Sequence, residues 1–216
     1  MHRHYTINTR GTDYVVGDIH GHFTLLQNTL NKLGFSEETD RLFSVGDLVD
    51  RGEESHLALD WLEKPWFHPV LANHEKMVID SFEQGGQYTQ LHAMNGGLWF
   101  YTLSPKIQEI YVKAFNKLPL TITVDTLGGK VGIIHAEVFK GDWEATQGLM
   151  VDGVEETALW SRTKIQSKNT DNIKNIHKVY SGHTPITEIL TLGNQTYIDT
   201  GAYSGWEKLT VVAIGD

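Results

Sequence analysis

Asp13-Tyr14-Val15-Val16-Gly17-Asp18-Ile19-His20-Gly21 is the stretch that decides the fold class. A short apolar, β-type run stops on a glycine and an aspartate, and an amphipathic helical pattern begins directly after it. Phe23, Leu26, Leu30 and Leu33 fall at spacings of 3, 4 and 3 between His22 and Leu33, with Gly34 as the stop signal. The unit recurs twice. Arg41 to Val45 reads as a strand ending on Gly46-Asp47, followed by a helix over Glu53 to Glu63 that Pro65 closes. Phe67 to Leu71 reads as a strand broken at Asn73-His74, with a helix over Glu75 to Phe82. Three strand-loop-helix units in succession imply an α/β sheet with crossover connections.

Beyond Phe82 the pattern changes. Glu83 to Lys117 is helical and loop-like, interrupted by Gly85-Gly86 and Asn95-Gly96-Gly97. Strand patterns then follow at Leu120 to Val124, Val131 to His135, Val179 to Gly182, Ile189 to Leu192, Gln195 to Asp199 and Leu209 to Ile214. Leu127-Gly128-Gly129-Lys130 and Gly193-Asn194 read as hairpin turns. The expectation is a two-sheet α/β/α sandwich with a more antiparallel second half. No repeat, linker or low-complexity stretch divides it, so residues 1–216 are expected to form a single domain.

Composition narrows the function. The chain has 216 residues, 40% of them hydrophobic, enough to bury a core. Its 18 Lys+Arg against 27 Asp+Glu give a net charge of −9, which argues against a nucleic-acid partner because no basic excess neutralises phosphates. A phosphate-handling enzyme stays open, since bound cations can supply positive charge locally. There is no cysteine, which excludes a disulfide scaffold, a cysteine zinc site and a cysteinyl-phosphate mechanism. The Met1–Asn8 start lacks a signal-peptide pattern and no stretch is long enough to span a bilayer, so a cytoplasmic location without a membrane partner is expected.

Polar residues of chemical interest gather where strands stop: Asp18 and His20, Asp47, Asn73, His135 and His183. Singly, each is ordinary. An aspartate in a strand-to-helix turn is commonly a cap, and a histidine closing a strand is more often hydrogen-bonded structure than a ligand. Jointly they are two aspartates, one asparagine and three histidines, in order, at five strand ends. Ligands of open α/β sheets bind beyond the carboxyl ends of strands, so the five ends can converge. Hydrolysis of a phosphate monoester needs a strong nucleophile and compensation of phosphoryl charge. Two cations about 3.5–4 Å apart provide both. Mixed oxygen and imidazole donors suit manganese, iron or zinc. Asp47, in the middle motif, is the natural bridging carboxylate, and neutral Asn73 adds an oxygen without adding charge.

Gly17-Asp18-Ile19-His20-Gly21, Gly46-Asp47-Leu48-Val49-Asp50-Arg51-Gly52 and Asn73-His74-Glu75 resemble the signature of the metal-dependent phosphoprotein phosphatase family of serine/threonine phosphatases. The likeness is to its small bacterial and bacteriophage branch, typified by bacteriophage lambda phosphatase. It runs from about Tyr14 to the C-terminus and takes in Lys117-Leu118-Pro119-Leu120, Trp160-Ser161-Arg162 and Tyr197-Ile198-Asp199-Thr200-Gly201-Ala202. The resemblance implies a calcineurin-like metallophosphoesterase fold and two divalent metal ions, Mn²⁺ first, with iron or zinc as alternatives. It assigns Asp18, His20 and Asp47 to the first metal, and Asp47, Asn73, His135 and His183 to the second. By the same resemblance His74 is the general acid, Asp50 orients it, and Arg51 and Arg162 grip the phosphate with Asn73 beside them. The implied substrate is a phosphorylated protein or peptide, with dual specificity open.

One departure stands out: the family usually carries a basic residue and glycine before Asn-His-Glu, and this chain has Leu71-Ala72. The expected consequence is weaker phosphate binding or a different substrate. Glu83 to Asn116 and the loop from Val138 to Asp152, including Trp143, are expected to shape substrate choice. Two other readings are carried. A symmetrical diadenosine tetraphosphate hydrolase, or another small-phosphomonoester phosphatase of the superfamily, would share the metal motifs. A non-catalytic metal-binding module would have no need of His74, Asp50 and Arg51. Gly128-Gly129-Lys130 is not a phosphate loop, since Val131 stands where Ser or Thr is required.

Overall fold

In the computed structural model, which describes residues 1–148, 151–205 and 208–215, the three opening units form as the sequence predicts. In chain order the elements begin with β1 (His2–Tyr5), β2 (Asp13–Val16), α1 (Phe23–Leu33), β3 (Arg41–Ser44), α2 (Ala58–Leu62), β4 (Phe67–Pro69) and α3 (Asn73–Gln84). A helical segment follows, α4 (Gln87–Met94) and α5 (Pro105–Phe115), with a 3₁₀ stretch over Gly97–Thr102 between them. The remainder comprises β5 (Thr121–Thr126), β6 (Gly129–Ile134), α6 (Trp143–Gln147), α7 (Val154–Trp160), α8 (Thr163–Ser167), β7 (Lys178–Ser181), β8 (Leu190–Leu192), β9 (Gln195–Tyr197) and β10 (Val211–Ile214).

The strands make two sheets. One has four strands in the order β10-β2-β3-β4; the other has six, in the order β1-β5-β6-β7-β9-β8. In the first, β2, β3 and β4 run parallel, with Val15 opposite Phe43 and Leu42 opposite Phe67, and β10 closes the far edge antiparallel. The second is mixed: β5 with β6 and β8 with β9 are antiparallel hairpins, while β1, β7 and β9 join by parallel pairing. Both expected hairpins are present, and the second half is more antiparallel than the first, as expected.

Three apolar layers set the stacking. Val15, Phe43, Val45, Val70, Ile122, Val124 and Ile133 fill the space between the sheets. Phe23, Leu26, Leu30, Trp61, Phe67, Val78 and Phe115 lie between the four-stranded sheet and its helices. Ile134, Trp143, Val154, Leu159 and Val179 pack under α6 and α7 on the far side. This is the two-sheet α/β/α sandwich expected, with burial of apolar faces as the main stabilising contribution.

Departures from the sequence reading have local causes. Leu33 is 45% exposed because the apolar stripe of α1 runs out in its last turn, where Gly34, at φ 70°, ends the helix with its N–H on the Asn31 carbonyl. The helix expected over Glu53–Glu63 is a 3₁₀ turn, Ser55–Leu57, followed by the short α2, since Ser55 Oγ is engaged in accepting the Asp50 N–H. Strand β4 stops at Pro69, which has no N–H to give a ladder. Strand β1 was not expected: its His-Arg-His-Tyr sequence lacks apolar alternation and sits on a sheet edge. Within the stretch read as a loop from Val138, α6 forms with Asp142 as its cap, accepting the Glu144 and Ala145 N–H groups; residues 149 and 150 lie outside the described residues.

Candidate metal centre and active site

The chain turns sharply after β2, β3, β4, β6 and β7, and these turns meet at one end of the sandwich. Strain is concentrated there. Of the eight non-glycine residues with positive φ among the described residues, five are His20, Asp47, Asp50, Arg51 and His183. Such conformations persist only where surroundings over-determine them. Here the first two loops are stitched together: Ile19 and His20 N–H both reach the Asp47 carbonyl, and Gly21 N–H reaches the Leu48 carbonyl. Glu75, in the first turn of α3, then accepts the N–H groups of Asp47 at 3.1 Å, Leu48 at 2.8 Å and Val49 at 3.4 Å. The sequence placed Glu75 in a motif but gave it no task; it pins the loop that carries Asp47.

Asp47 is central. Its Oδ1 lies 3.6 Å from His135 Nε2, and its Oδ2 lies 3.4 Å from His20 Nε2 and 3.9 Å from His74 Nε2. A carboxylate with its two oxygens turned to two donor groups could serve both. Asn73 Oδ1 is 2.6 Å from His135 Nε2, and His183 Nδ1 is 3.1 Å from the same atom. Asp18 accepts the His183 N–H at 3.0 Å, a contact that requires Gly182, since a Cβ there would sit 1.8 Å from Asp18 Oδ1. All six expected ligands are buried in one place. The close donor triads are His20-Asp47-His74 and Asp18-Asp47-His135. His74 falls within one of these triads because its Nε2 turns toward Asp47 Oδ2, at 3.9 Å.

Three imidazoles are held as metal ligands would need to be. His20 Nδ1–H donates to the Val49 carbonyl at 3.0 Å, His135 Nδ1–H to the Val45 carbonyl at 2.8 Å, and His183 Nε2–H to the Trp160 carbonyl at 3.2 Å. With one ring N–H tied to backbone, each neutral ring turns its other lone pair inward. Burial holds all three below the ordinary imidazole range, His20 and His183 down to about 3. Burial, then the neighbouring Asp199 and Asp47 carboxylates, pushes Asp18 well above its usual range. Burial likewise pushes Asp199 up to about 6, against the hydrogen bond from the Gly201 N–H. Burial also opposes charge on Asp47, but His135 and the other surrounding imidazoles keep its carboxylate ionised. Lone pairs and carboxylates converging in a buried space repel one another unless a cation lies among them, so the donor set fits divalent metal ions.

Beside this cluster, His74 Nδ1 is 2.7 Å from Asp50 Oδ2. Arg51 and Arg162 lie against different members of the cluster. Arg51 lies with Nη1 3.0 Å from His20 Nε2, and Arg162 with Nη2 3.3 Å from the His183 carbonyl. Both are exposed and free to meet a ligand from solvent.

The family model described as "Calcineurin-like phosphoesterase" matches residues 14–209. The chain belongs to that family. It is 36% identical over 197 residues to serine/threonine-protein phosphatase 2 of Salmonella typhimurium, covering 88% of this chain and 87% of that one. A symmetrical bis(5'-nucleosyl)-tetraphosphatase of Acidovorax sp. is 30% identical over 151 residues, 69% of this chain and 52% of the other. Among solved structures, a protein serine/threonine phosphatase from Saccharomyces cerevisiae superposes with a TM-score of 0.62 at 16% identity, covering 99% of this chain and 83% of that one. The expected family and the calcineurin-like fold are both borne out, and the chain is a hydrolase of that family.

Several residues of this phosphoesterase site were not foreseen. His92 and Trp99, from the helical segment, both contact Asp50. Asp199, which the sequence placed only within a shared motif, lies buried beside Asp18. Tyr203 packs edge-on to His20 and under the Arg51 guanidinium, 4.0 Å from its ring centroid. Trp143, within the loop expected to shape substrate choice, is 1% exposed, donates to Thr123 Oγ1 at 2.8 Å and belongs to the core. Leu71 is half-buried against apolar residues of two layers. Its neighbour Ala72 faces Gly46, where any Cβ would come within 2.4 Å of the alanine methyl. Among the described residues no helix is long and apolar enough to cross a membrane.

Proposed function

We propose that this phosphoesterase removes phosphate from phosphoserine and phosphothreonine residues of proteins, using two divalent ions, Mn²⁺ first among the manganese, iron and zinc that the mixed donor set suits. The observation that carries the proposal is the buried His74–Asp50 pair set against a cluster of buried ligands centred on Asp47. Asp18, His20 and Asp47 would hold one ion; Asp47, Asn73, His135 and His183 would hold the other. Bound there, such ions would supply Lewis acidity and lower the pKa of the attacking water, so that hydroxide is available near neutral pH. Arg51 and Arg162 hold the phosphoryl oxygens, a task suited to the guanidinium fork. His74 Nε2 gives its proton to the ester oxygen as the P–O bond breaks, so that an alcohol leaves rather than an alkoxide. Asp50 keeps Nδ1 of His74 protonated and the ring in place.

Two further observations favour a protein substrate. The similarity to the Salmonella typhimurium phosphatase extends over most of both chains, whereas that to the tetraphosphatase spans about half of the latter. A groove of about 370 Å³ adjoins the centre, lined by Met77, Asp80, Tyr88, Leu91, Glu155 and Trp160, and its Trp160 carbonyl also holds His183. Residues of the Glu83–Asn116 segment line it, consistent with a part in substrate choice. The test compares kcat/KM in Mn²⁺ for phosphoserine, phosphothreonine and phosphotyrosine peptides, an aryl phosphate and diadenosine tetraphosphate. The phosphoserine and phosphothreonine peptides are expected to exceed the dinucleotide. Faster hydrolysis of the dinucleotide than of every peptide would replace the proposal with the nucleotide reading.

A further inference from the structure

We infer that His92 and Trp99, on the helical segment between Gln87 and Thr102, are positioning residues that lock Asp50 in the one orientation that serves His74. The inference rests on the reading of His74 as proton donor and assigns it a partner set that the metal-bearing loops do not contain.

Asp50 is completely buried, and both of its side-chain oxygens accept hydrogen bonds. Its Oδ2 takes His74 Nδ1–H at 2.7 Å. Its Oδ1 takes Trp99 Nε1–H at 2.7 Å and His92 Nε2–H at 3.0 Å. Two N–H donors on one carboxylate oxygen, away from water, are strong charge-assisted bonds, and rotating the carboxylate would break both. Burial works against the charge on Asp50, while the hydrogen bonds from His74 and then His92 hold it ionised. Without the two donors on Oδ1, that oxygen would be buried and unpaired, and the group facing His74 would be free to turn.

His92 is itself fixed. It is fully buried, with Nδ1 2.9 Å from the Tyr101 hydroxyl and 3.4 Å from Ser81 Oγ. A chain of hydrogen bonds therefore runs from His74 through Asp50 to His92 and Tyr101. This also gives a task to Asn95-Gly96-Gly97, which the metal chemistry leaves unused. A Cβ at Gly97 would lie 2.1 Å from His92 Nε2, and one at Gly96, which has φ 98°, would lie 2.5 Å from Arg51 N. Both glycines let the helical segment close against the loop that carries Asp50 and Arg51. The labour is thus divided: strand-end loops hold the ligands, and the helical segment holds the orienter of the proton donor.

The test follows from that division. A proton donor matters for an alkyl ester, whose leaving oxygen is strongly basic, and matters little for an activated aryl ester. Steady-state kinetics of the Mn²⁺-loaded full chain would be measured on a phosphoserine peptide and on p-nitrophenyl phosphate for His92→Leu, Trp99→Phe, His92→Gln and His74→Asn. Bound Mn²⁺ and thermal unfolding would be measured for each. His92→Leu and Trp99→Phe are expected to lower kcat on the peptide by roughly 10–100-fold, with a much smaller drop on the aryl ester and Mn²⁺ retained. His92→Gln, which restores an N–H donor toward Asp50, is expected to recover part of the loss. If His74→Asn shows this leaving-group dependence while the other variants lose both activities alike, or neither, the positioning role is wrong. If His74→Asn itself lacks it, the reading of His74 falls and the inference with it. Should His92→Leu fail to fold, Trp99→Phe, which keeps an aromatic ring, decides alone.

Discussion

His74 Nδ1 and Asp50 Oδ2 stand 2.7 Å apart, with 1% and 0% of their side chains exposed. A buried imidazole whose Nδ1–H is committed to a carboxylate presents Nε2 in one direction only, here toward Asp47 and the ligand cluster. This is the arrangement a directed proton donor requires, because tautomer and ring orientation are set before substrate arrives. His74→Asn is expected to lower turnover of a phosphoserine peptide by roughly 10²–10⁴-fold, with metal content unchanged. Asp50→Asn should cost less, roughly 10–100-fold, because the ring remains but its orientation is no longer enforced. Single-turnover kinetics with parallel metal analysis check both; unchanged turnover in His74→Asn removes it from the mechanism.

A second prediction concerns the closest packing in the centre. Gly182 leads β7 into His183, and a Cβ there would overlap Asp18 Oδ1 at 1.8 Å. Gly182→Ala must therefore displace either the strand end or the carboxylate. The expected cost is about 1–3 kcal/mol of stability together with weakened Mn²⁺ binding. Urea unfolding and Mn²⁺ titration calorimetry measure the two effects; wild-type values in both would show that Asp18 need not lie so close to the strand.

The third is a pH dependence away from the metal site. His68, opposite Phe43 in the four-stranded sheet, packs 4.6 Å from the Tyr5 ring. Burial, then the positive charges of Arg41 and Arg3, pushes its pKa down to about 4, with Asp13 acting weakly in the other direction. The unfolded chain then binds a proton more readily than the folded one. The contribution is present in full above the unfolded value of 6.5 and is lost as pH falls from there toward 4. It amounts to up to roughly 3 kcal/mol. His68→Phe should flatten this part of the stability–pH profile, measured by urea unfolding at several pH values between about 7 and about 5. An unchanged slope would assign acid sensitivity elsewhere.

What could be read from the residues, and what could not, follows from the range of the interactions. The candidate ligands Asp18, Asp47, Asn73, His135 and His183 announce themselves because each follows the end of a strand, and parallel strands bring like ends together. His92 and Trp99 carry no such mark. They meet Asp50 across 42 and 49 residues, and α4 gives His92 no pattern distinguishing it from an ordinary surface histidine. The nearest signal is the pair Gly96-Gly97, which flags a close approach without naming what approaches. Trp143 illustrates the same limit: it lies in a stretch that reads as a loop, and its burial depends on Gly132 of β6, where a Cβ would come within 2.6 Å of the indole. Strand β1 was illegible because its pairing with β5 is a contact across more than a hundred residues by a polar segment.

The proposal that orders all of this is that Asp47 would join two metal ions at one site. Elemental analysis of purified wild type and Asp47→Asn, after equilibration with Mn²⁺ and removal of free ion, tests it most directly. Two equivalents per chain are expected in the wild type, with less than one and a parallel loss of phosphatase activity in the variant. Two full equivalents in Asp47→Asn with activity retained would contradict the bridge.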